Sequence, residues 1–258
     1  MRIVLMTHGG AEMVIERLAA LPNVEIAGVF IETAPPPRRG FFEKIRRSIR
    51  YDGFRGTIEK LASRQKPAAS NDLTRTTAAG HGIDIFEVED LHSEQSMKML
   101  RDAEADLGVI YGTNIIKESV FSIPKLGSVN LHQGLAPYYR GGPPVFWELF
   151  NGEKEIGLTV HFVAAAVDTG DIILQKKVSL EYDPGFGLDF EGFIDRYRGS
   201  IRADCAKLVG DAVSAIAAGK FERAPQDTRL GKRYRLPTKK EKDELRRRLK
   251  ARLARGAK

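Results

Sequence analysis

The sequence predicts an α/β protein built on a mostly parallel sheet with flanking helices. Two observations carry that expectation. The chain opens with an apolar run, a Gly turn, an amphipathic stretch and a second apolar run, the strand–helix–strand order that parallel pairing needs. Further short apolar runs then recur between helical stretches. The first of them, broken by His8 and Gly9, is too short for a membrane span or a signal peptide and reads as a buried strand.

Residues 2–7 (RIVLMT) are the first strand, followed by the turn His8-Gly9-Gly10 and a helix over AEMVIERLAAL that Pro22 ends. VEIAGVFI at 24–31 is the second strand. Pro35 to Pro37 break the pattern, and 35–75 reads as an insertion with one or two basic helices (GFFEKIRRSIRYDGFRGTIEKLASRQ). GIDIFEV at 82–88 is a short strand, and Ser93 is placed to cap the helix EQSMKMLRDAEA. ADLGVIYGT at 105–113 and SVNLH at 128–132 follow as strands. A Gly/Pro-rich loop from Ala136 to Pro144 leads to the helix PVFWELFNG, closed by Gly152. GLTVHFV at 157–163 and IILQKKVSLEY at 172–182 alternate as an antiparallel edge pair does. One long amphipathic helix is expected from Asp189 to Ala218, closed by Gly219. Leu245, Leu249 and Leu253 recur every four residues in the charged stretch KKEKDELRRRLKARLAR, which suits a short helical extension. The expected division is 1–185 for a catalytic domain and 186–258 for a C-terminal helix and basic tail.

Charge is unevenly spread. Residues 232–258 hold 13 Lys/Arg and 3 Asp/Glu, a net +10, so the remaining chain carries 7 − 10 = −3. Such a tail could contact nucleic acid, but no aromatic platform accompanies it, and a solvated helix end is the favoured reading. The apolar C-terminal region would also suit a homodimer. Cys205 is the lone cysteine, which excludes an internal disulfide and a cysteine-rich zinc site and fits a reducing, cytoplasmic compartment. No metal is expected.

The chemistry is concentrated in SVNLHQGLAPYYRGG and VDTGDII. Asn130 and His132 are two apart on a strand and so share a face. Asp168 lies in a loop after another strand. An amide donor, an imidazole and a carboxylate are the parts of an acyl-transfer site: one holds a developing oxyanion, one moves protons, one orients or charges the imidazole. His161 reads as a packing or backbone-bonded residue, and Tyr138 and Tyr139 as loop packing or an acceptor platform. Ligands of open α/β sheets gather at the carboxyl ends of strands. The first turn there, His8, Gly9 and Gly10, could offer amides to a phosphate or be a plain tight turn.

Asn130-Leu131-His132, the Pro-ending Gly134-Leu135-Ala136-Pro137, Tyr139-Arg140-Gly141, Gly157-Leu158-Thr159-Val160-His161 and Asp168-Thr169-Gly170 together resemble the folate-dependent formyltransferases. That superfamily includes the glycinamide ribonucleotide, methionyl-tRNA and sugar N-formyltransferases. The resemblance covers roughly residues 1–185 and is most specific from Ser128 to Tyr182. It implies a Rossmann-like sheet and transfer of a formyl group from 10-formyltetrahydrofolate to a primary amine. By position, it implies that Asn130 donates to the formyl oxygen, that His132 assists and moves protons, and that Asp168 holds His132 or an ordered water. The folate slot would be lined by Tyr111, Gly112, Thr113, Asn114, Ile115 and Ile116 on one side and Val163, Ala166 and Val167 on the other. The acceptor would meet His8, Gly9, Gly10, Tyr138, Arg140 and Gly141.

Gly134 and Ala136 depart from the Ser and Leu that many members carry after the histidine, which bears on the acceptor rather than the chemistry. An amino-sugar nucleotide or another small amine is the favoured acceptor. Methionyl-tRNA enzymes have a large C-terminal barrel for which little chain remains here. Glycinamide ribonucleotide enzymes are shorter, with a Ser/Gly-rich first turn. A formyltetrahydrofolate hydrolase normally has an N-terminal regulatory domain. A non-catalytic folate- or nucleic-acid-binding protein is the alternative of another class.

Overall fold

The computed structural model describes residues 1–33, 50–51, 70–180 and 190–256. Apart from 50–51 and 70–75, the insertion expected at 35–75 lies outside them. In chain order the elements are β1 (Arg2–Thr7), α1 (Glu12–Ala19), β2 (Glu25–Glu32), α2 (Ser70–Gly80), β3 (Ile85–Val88), α3 (Glu94–Asp102), β4 (Leu107–Tyr111) and α4 (Glu118–Phe121). They continue with β5 (Ser128–His132), β6 (Tyr139–Arg140), α5 (Phe146–Asn151), β7 (Glu155–Phe162), β8 (Ile172–Ser179), α6 (Phe190–Ser200), α7 (Arg202–Ala217), β9 (Lys232–Arg233) and α8 (Lys239–Gly256).

Seven strands make one sheet in the order β3-β2-β1-β4-β5-β7-β8. The first five are mutually parallel, and β7 and β8 add antiparallel at one edge. The mostly parallel α/β fold read from the sequence is therefore the one observed. Alternation along the strands sorts the core onto two faces. Ile3, Leu5, Val29 and Val109 pack with Val14, Ile15 and Leu18 of α1 and Val209 and Val213 of α7. Val4, Met6, Phe30 and Ile110 pack on the other face with Leu91, Leu100 and Val120. Ser93 caps α3 as expected, its side chain accepting from the Ser96 N–H. Glycine ends α5, where Gly152 takes φ 85°.

The long helix expected from Asp189 to Ala218 is two helices. The break falls at Ile201, with φ −89° and ψ 4°, directly after Gly199-Ser200. Gly/Ser pairs are a recognised site of kinks, and here the Ser200 hydroxyl bonds the Tyr197 carbonyl at 2.8 Å. The break frees Arg202 to begin α7 with its guanidinium on the Gly10 carbonyl at 2.7 Å. Further along, Arg17 of α1 reaches Asp211 of α7 at 3.0 Å.

The basic C-terminal stretch does not end as a solvated helix. β9 pairs with β6, Tyr139 beside Lys232 and Arg140 beside Arg233, and Trp147 Nε1 donates to the Arg235 carbonyl at 2.8 Å. Thr238 and Glu241 then form a reciprocal cap: the Thr238 N–H donates to Glu241 Oε2 at 2.7 Å, and the Glu241 N–H to Thr238 Oγ1 at 3.3 Å. This capping box starts α8. Leu245 and Leu249 are 0% and 2% exposed and belong to the main core. Leu245 and Leu249 thus form a docking stripe, and Arg248 adds to it by donating to the Phe150 carbonyl at 2.8 Å. Leu249→Ala should cost about 2–5 kcal/mol of stability, the usual range for a buried leucine. Urea unfolding reads this directly, and an unchanged midpoint would mean that the helix does not dock.

Candidate active site

β5 and β7 pair with Asn130 opposite His161 and His132 opposite Thr159. Asn130 and His132 project from one face of β5, while Leu131 turns into the core. The loop after β7 returns Asp168 to them. It can do so because Gly170 passes tight against the strand: a Cβ there would lie 1.8 Å from the Phe162 carbonyl oxygen. Asp168 itself has φ 54°, a left-handed conformation that aspartate tolerates better than most residues. Its Oδ2 accepts the Gly141 N–H at 2.9 Å and faces His132 Nδ1 at 3.3 Å. Its Oδ1 faces His161 Nε2 at 3.5 Å.

The three expected catalytic residues therefore converge, with His161 as a fourth member that the sequence reading left to packing. His161 does make the backbone bond, from Nδ1–H to the Phe162 carbonyl at 2.7 Å. Its Nε2 lies between the Asn130 amide nitrogen at 3.4 Å and Asp168 Oδ1 at 3.5 Å. His161 thus orients the Asn130 amide and flanks Asp168. Only the register of a strand pair could have revealed this.

His132 is held from below as well. Its Nε2 donates to the Tyr139 carbonyl at 2.7 Å. Gly134 lies so close under the ring that a Cβ there would be 2.3 Å from Nε2 and 2.7 Å from that carbonyl. Thr159 fastens the same loop. Its hydroxyl donates to the Gly134 carbonyl at 2.8 Å and accepts the Ala136 N–H at 3.2 Å. Gln175 adds a bond to the Ala136 carbonyl at 2.8 Å.

Electrostatics divides the roles. Burial alone would raise the pKa of Asp168. The hydrogen bond from His161, the charges of both histidines and the Gly141 N–H outweigh it and bring the value to about 2. Burial lowers the pKa of His132 below the ordinary histidine value, against the pull of the Asp168 charge and the Tyr139 carbonyl. At neutral pH the carboxylate is ionised and the imidazole neutral. With its proton on Nε2, the lone pair sits on Nδ1, beside Asp168.

A cavity of about 180 Å³ opens beside this group. Thr113, Asn114, Ile115, Ile116, Val163 and Val167 line it, as expected for the folate slot, together with Ile110, Asn130, His161, Ala164, Ala165 and Asp168. Tyr111, Gly112 and Ala166 are not in its wall. Tyr111 instead lies against Arg202 and Cys205, and burial pushes its hydroxyl pKa up to about 12. Gly112 makes the turn after β4 at φ 64°, and Ala166 accepts the Thr169 hydroxyl at 2.9 Å.

The expected acceptor residues divide. His8 contacts the buried Glu32, and Asn114 of the cavity approaches the same ring nitrogen at 3.3 Å, so His8 borders the cleft. Two amides of the first turn are occupied: Gly9 N–H bonds Thr7 Oγ1 at 3.0 Å and Ala11 N–H bonds Thr74 Oγ1 at 3.1 Å. Gly141 holds Asp168. Arg140 is buried, with its guanidinium on the Pro137 and Thr228 carbonyls. Tyr138 lies away from the cleft, in the wall of a second cavity.

Among the described residues, Glu32, Asp90 and His92 bring ligand-type atoms within 4.8 Å of one another. His92 Nε2 already accepts the Lys117 N–H at 3.0 Å and Nδ1 faces Asp90 at 3.0 Å, so both ring nitrogens are engaged.

Residues 40–183 match the protein family described as formyl transferase. The methionyl-tRNA formyltransferase of Bacteroides fragilis is 31% identical over 150 residues, 58% of this chain and 44% of that protein. The chain spans about half the length of the curated relatives it matches. A sugar N-formyltransferase from Shewanella sp. FDAARGOS_354 superposes with a TM-score of 0.57 at 15% identity, covering 92% of this chain and 77% of that one. Phosphoribosylglycinamide formyltransferase from Bacillus halodurans gives 0.56 at 18% identity, covering 84% and 95%. These two structures share the fold.

Gly134→Ala tests the seat of His132. The added methyl should push the ring off the Tyr139 carbonyl and cost about 1–3 kcal/mol, as overpacking does. In nitrogen NMR the His132 Nε2–H tautomer should be lost. A wild-type ring spectrum in the variant would show that Gly134 does not seat the histidine.

Proposed function

The chain belongs to the formyl transferase family, and on that premise we propose that it moves the formyl group of 10-formyltetrahydrofolate to a primary amine. The acceptor we favour is an amino-sugar nucleotide or another small amine. The observation that carries this reading is that Asn130 and Asp168 line a cavity walled by Thr113 to Ile116, Val163 to Ala165 and Val167, with His132 directly behind Asp168 at 3.3 Å. The apolar walls from Ile110, Ile116, Val163 and Val167 suit a flat ring, and the polar end presents the groups that acyl transfer needs. The donor would lay its ring system there, with its formyl group toward Asn130.

Each residue then has a task. The acyl oxygen gains negative charge as the amine attacks, and Asn130 donates an N–H to it. His161 holds that amide in place, so little reorganisation is required at the moment of reaction. The attacking nitrogen must lose a proton. His132 is set to take it: the Tyr139 carbonyl fixes the proton on Nε2 and leaves Nδ1 free. Once Nδ1 is protonated it faces the Asp168 carboxylate at 3.3 Å, which stabilises the imidazolium. Asp168, with its pKa near 2, is too weak a base to keep that proton. His132 can therefore pass it on to the departing folate nitrogen, which needs one.

A second acceptor, an aminoacyl-tRNA, is supported by the identity to methionyl-tRNA formyltransferases and by the arginines carried on α8. Turnover assays with a sugar-linked amine and with methionyl-tRNA separate the two.

Asn130→Ala should lower kcat by about 10²–10³, the loss of one oxyanion donor, while calorimetry with 5-formyltetrahydrofolate still shows saturable binding. Undiminished turnover would remove Asn130 from the mechanism, and absence of binding to wild type would remove the folate reading. The pH profile gives a separate check. A neutral His132 is required, so kcat/KM should fall on the acid side with an apparent pKa below about 6.5. The Asp168 charge raises the His132 pKa, so in Asp168→Asn that limb should move to still lower pH. A shift to higher pH would contradict the assignment.

A further inference from the structure

The loop from Leu135 to Tyr139 has two sides. One seats His132. The other walls a cavity of about 700 Å³, which shares no lining residue with the cleft at Asn130 and Asp168. That volume lies in the range of sites for cofactor-sized molecules, about 300–1,000 Å³. Part of its wall is aromatic. Tyr139 and Tyr234 stack with centroids 5.2 Å apart and planes 8° from parallel, and Asn151 Nδ2 lies 3.0 Å from both hydroxyls. Tyr138 and Leu230, 47% and 58% exposed, add apolar surface that water covers.

The charged groups in this wall are mostly committed to one another. Glu153 accepts the Tyr139 hydroxyl at 2.8 Å, Glu155 pairs with Lys177 at 3.4 Å, and Arg229 is held by Asp227 at 2.9 Å. The buried Glu148 takes backbone N–H groups at the start of its own helix. Two cations are left over. Among the described residues, neither Lys154 nor Lys232 has a carboxylate within 4.0 Å, and Lys232 Nζ stands 4.7 Å above the Tyr234 ring. The exposed Tyr138 ring beside two unneutralised ammonium groups matches an aromatic ring that carries an oxyanion.

We propose that this cavity is a second small-molecule site, taking a phosphorylated ring compound of mononucleotide size. Tyr139 ties it to the first: its side chain walls the cavity, and its carbonyl holds His132 Nε2. Occupancy on one side is therefore sensed at the histidine on the other. The proposal stands apart from formyl transfer, since its primary readout is binding.

The test is calorimetry on the full chain with AMP and UMP, with adenosine and inorganic phosphate as the separated halves. Saturable binding with a Kd below about 1 mM is expected. Each half alone should bind at least about tenfold more weakly. The exposed pair Lys154→Ala/Lys232→Ala should weaken AMP by about tenfold or more, while circular dichroism and the urea midpoint stay at wild-type values. Binding should persist with the reaction cleft saturated by 5-formyltetrahydrofolate, and the His132 ring resonances should move when AMP binds. Absence of saturable binding to about 5 mM overturns the proposal. So does binding that ignores the lysine variant but is lost with 5-formyltetrahydrofolate or in Asn114→Ala, because the nucleotide would then occupy the reaction cleft.

Discussion

The antiparallel register between β5 and β7 places Asn130 opposite His161 and His132 opposite Thr159. From those two pairs the rest of the centre follows. The first pair lets His161 orient the Asn130 amide and flank Asp168. The second lets Thr159 pin the loop that carries Gly134 and Ala136, and so fixes the floor beneath His132. A slip of one residue would send every side chain of β7 to the opposite face. His161 would leave the cleft and Thr159 would release the loop. The register is held because the apolar face of β7, Ile156, Leu158 and Val160, lies in the main core. Core packing on one side of the strand thus sets the chemistry on the other.

Burial and hydrogen bonding pull His132 and Asp168 apart. The same desolvated pocket keeps the imidazole neutral and the carboxylate charged, because the carboxylate has three nearby partners and the imidazole has one charge partner working against burial. The Tyr139 carbonyl then decides which ring nitrogen is free. It is a backbone group, so no side-chain substitution removes it. The position of Tyr139 is nonetheless secured through its side chain, by Glu153, Asn151 and Tyr234.

Much of this was legible in the sequence for identifiable reasons. β5 runs from Ser128 to His132 as read, since its apolar run is bounded by Gly127 and by the Gly/Pro loop. The edge pair β7–β8 was visible in its alternation. Asn130, His132 and Asp168 stand out in the sequence because an amide, an imidazole and a carboxylate occur at strand ends with a Gly/Pro loop between them, a set that resembles the formyltransferase motif. The features missed are those that depend on distant partners. β9 is two residues long and has no apolar pattern; it exists through pairing with Tyr139 and Arg140. The site role of His161 follows from cross-strand register, which a single strand does not disclose. Arg140 and Tyr138 neighbour the motif in sequence but not in the cleft: Arg140 is drawn onto the Pro137 and Thr228 carbonyls, and Tyr138 sits in the turn that walls the second cavity. The helix at Ser70–Gly80 begins inside a stretch read only as insertion. The break at Ile201 was signalled by Gly199-Ser200, which helical periodicity on either side obscured.

The docking of α8 through Leu245 and Leu249 has a consequence for how the molecule is seen from outside. A basic segment on a loose tether spreads its potential over every direction it samples, and its effect averages away. Here the arginines are mounted on a helix whose inner stripe is part of the core. Their field therefore has a fixed bearing relative to the sheet and its cleft, and reaches outward by about a Debye length, near 8–10 Å in physiological salt. An approaching anion meets that field already oriented, so the helix biases the angle of arrival as well as its frequency.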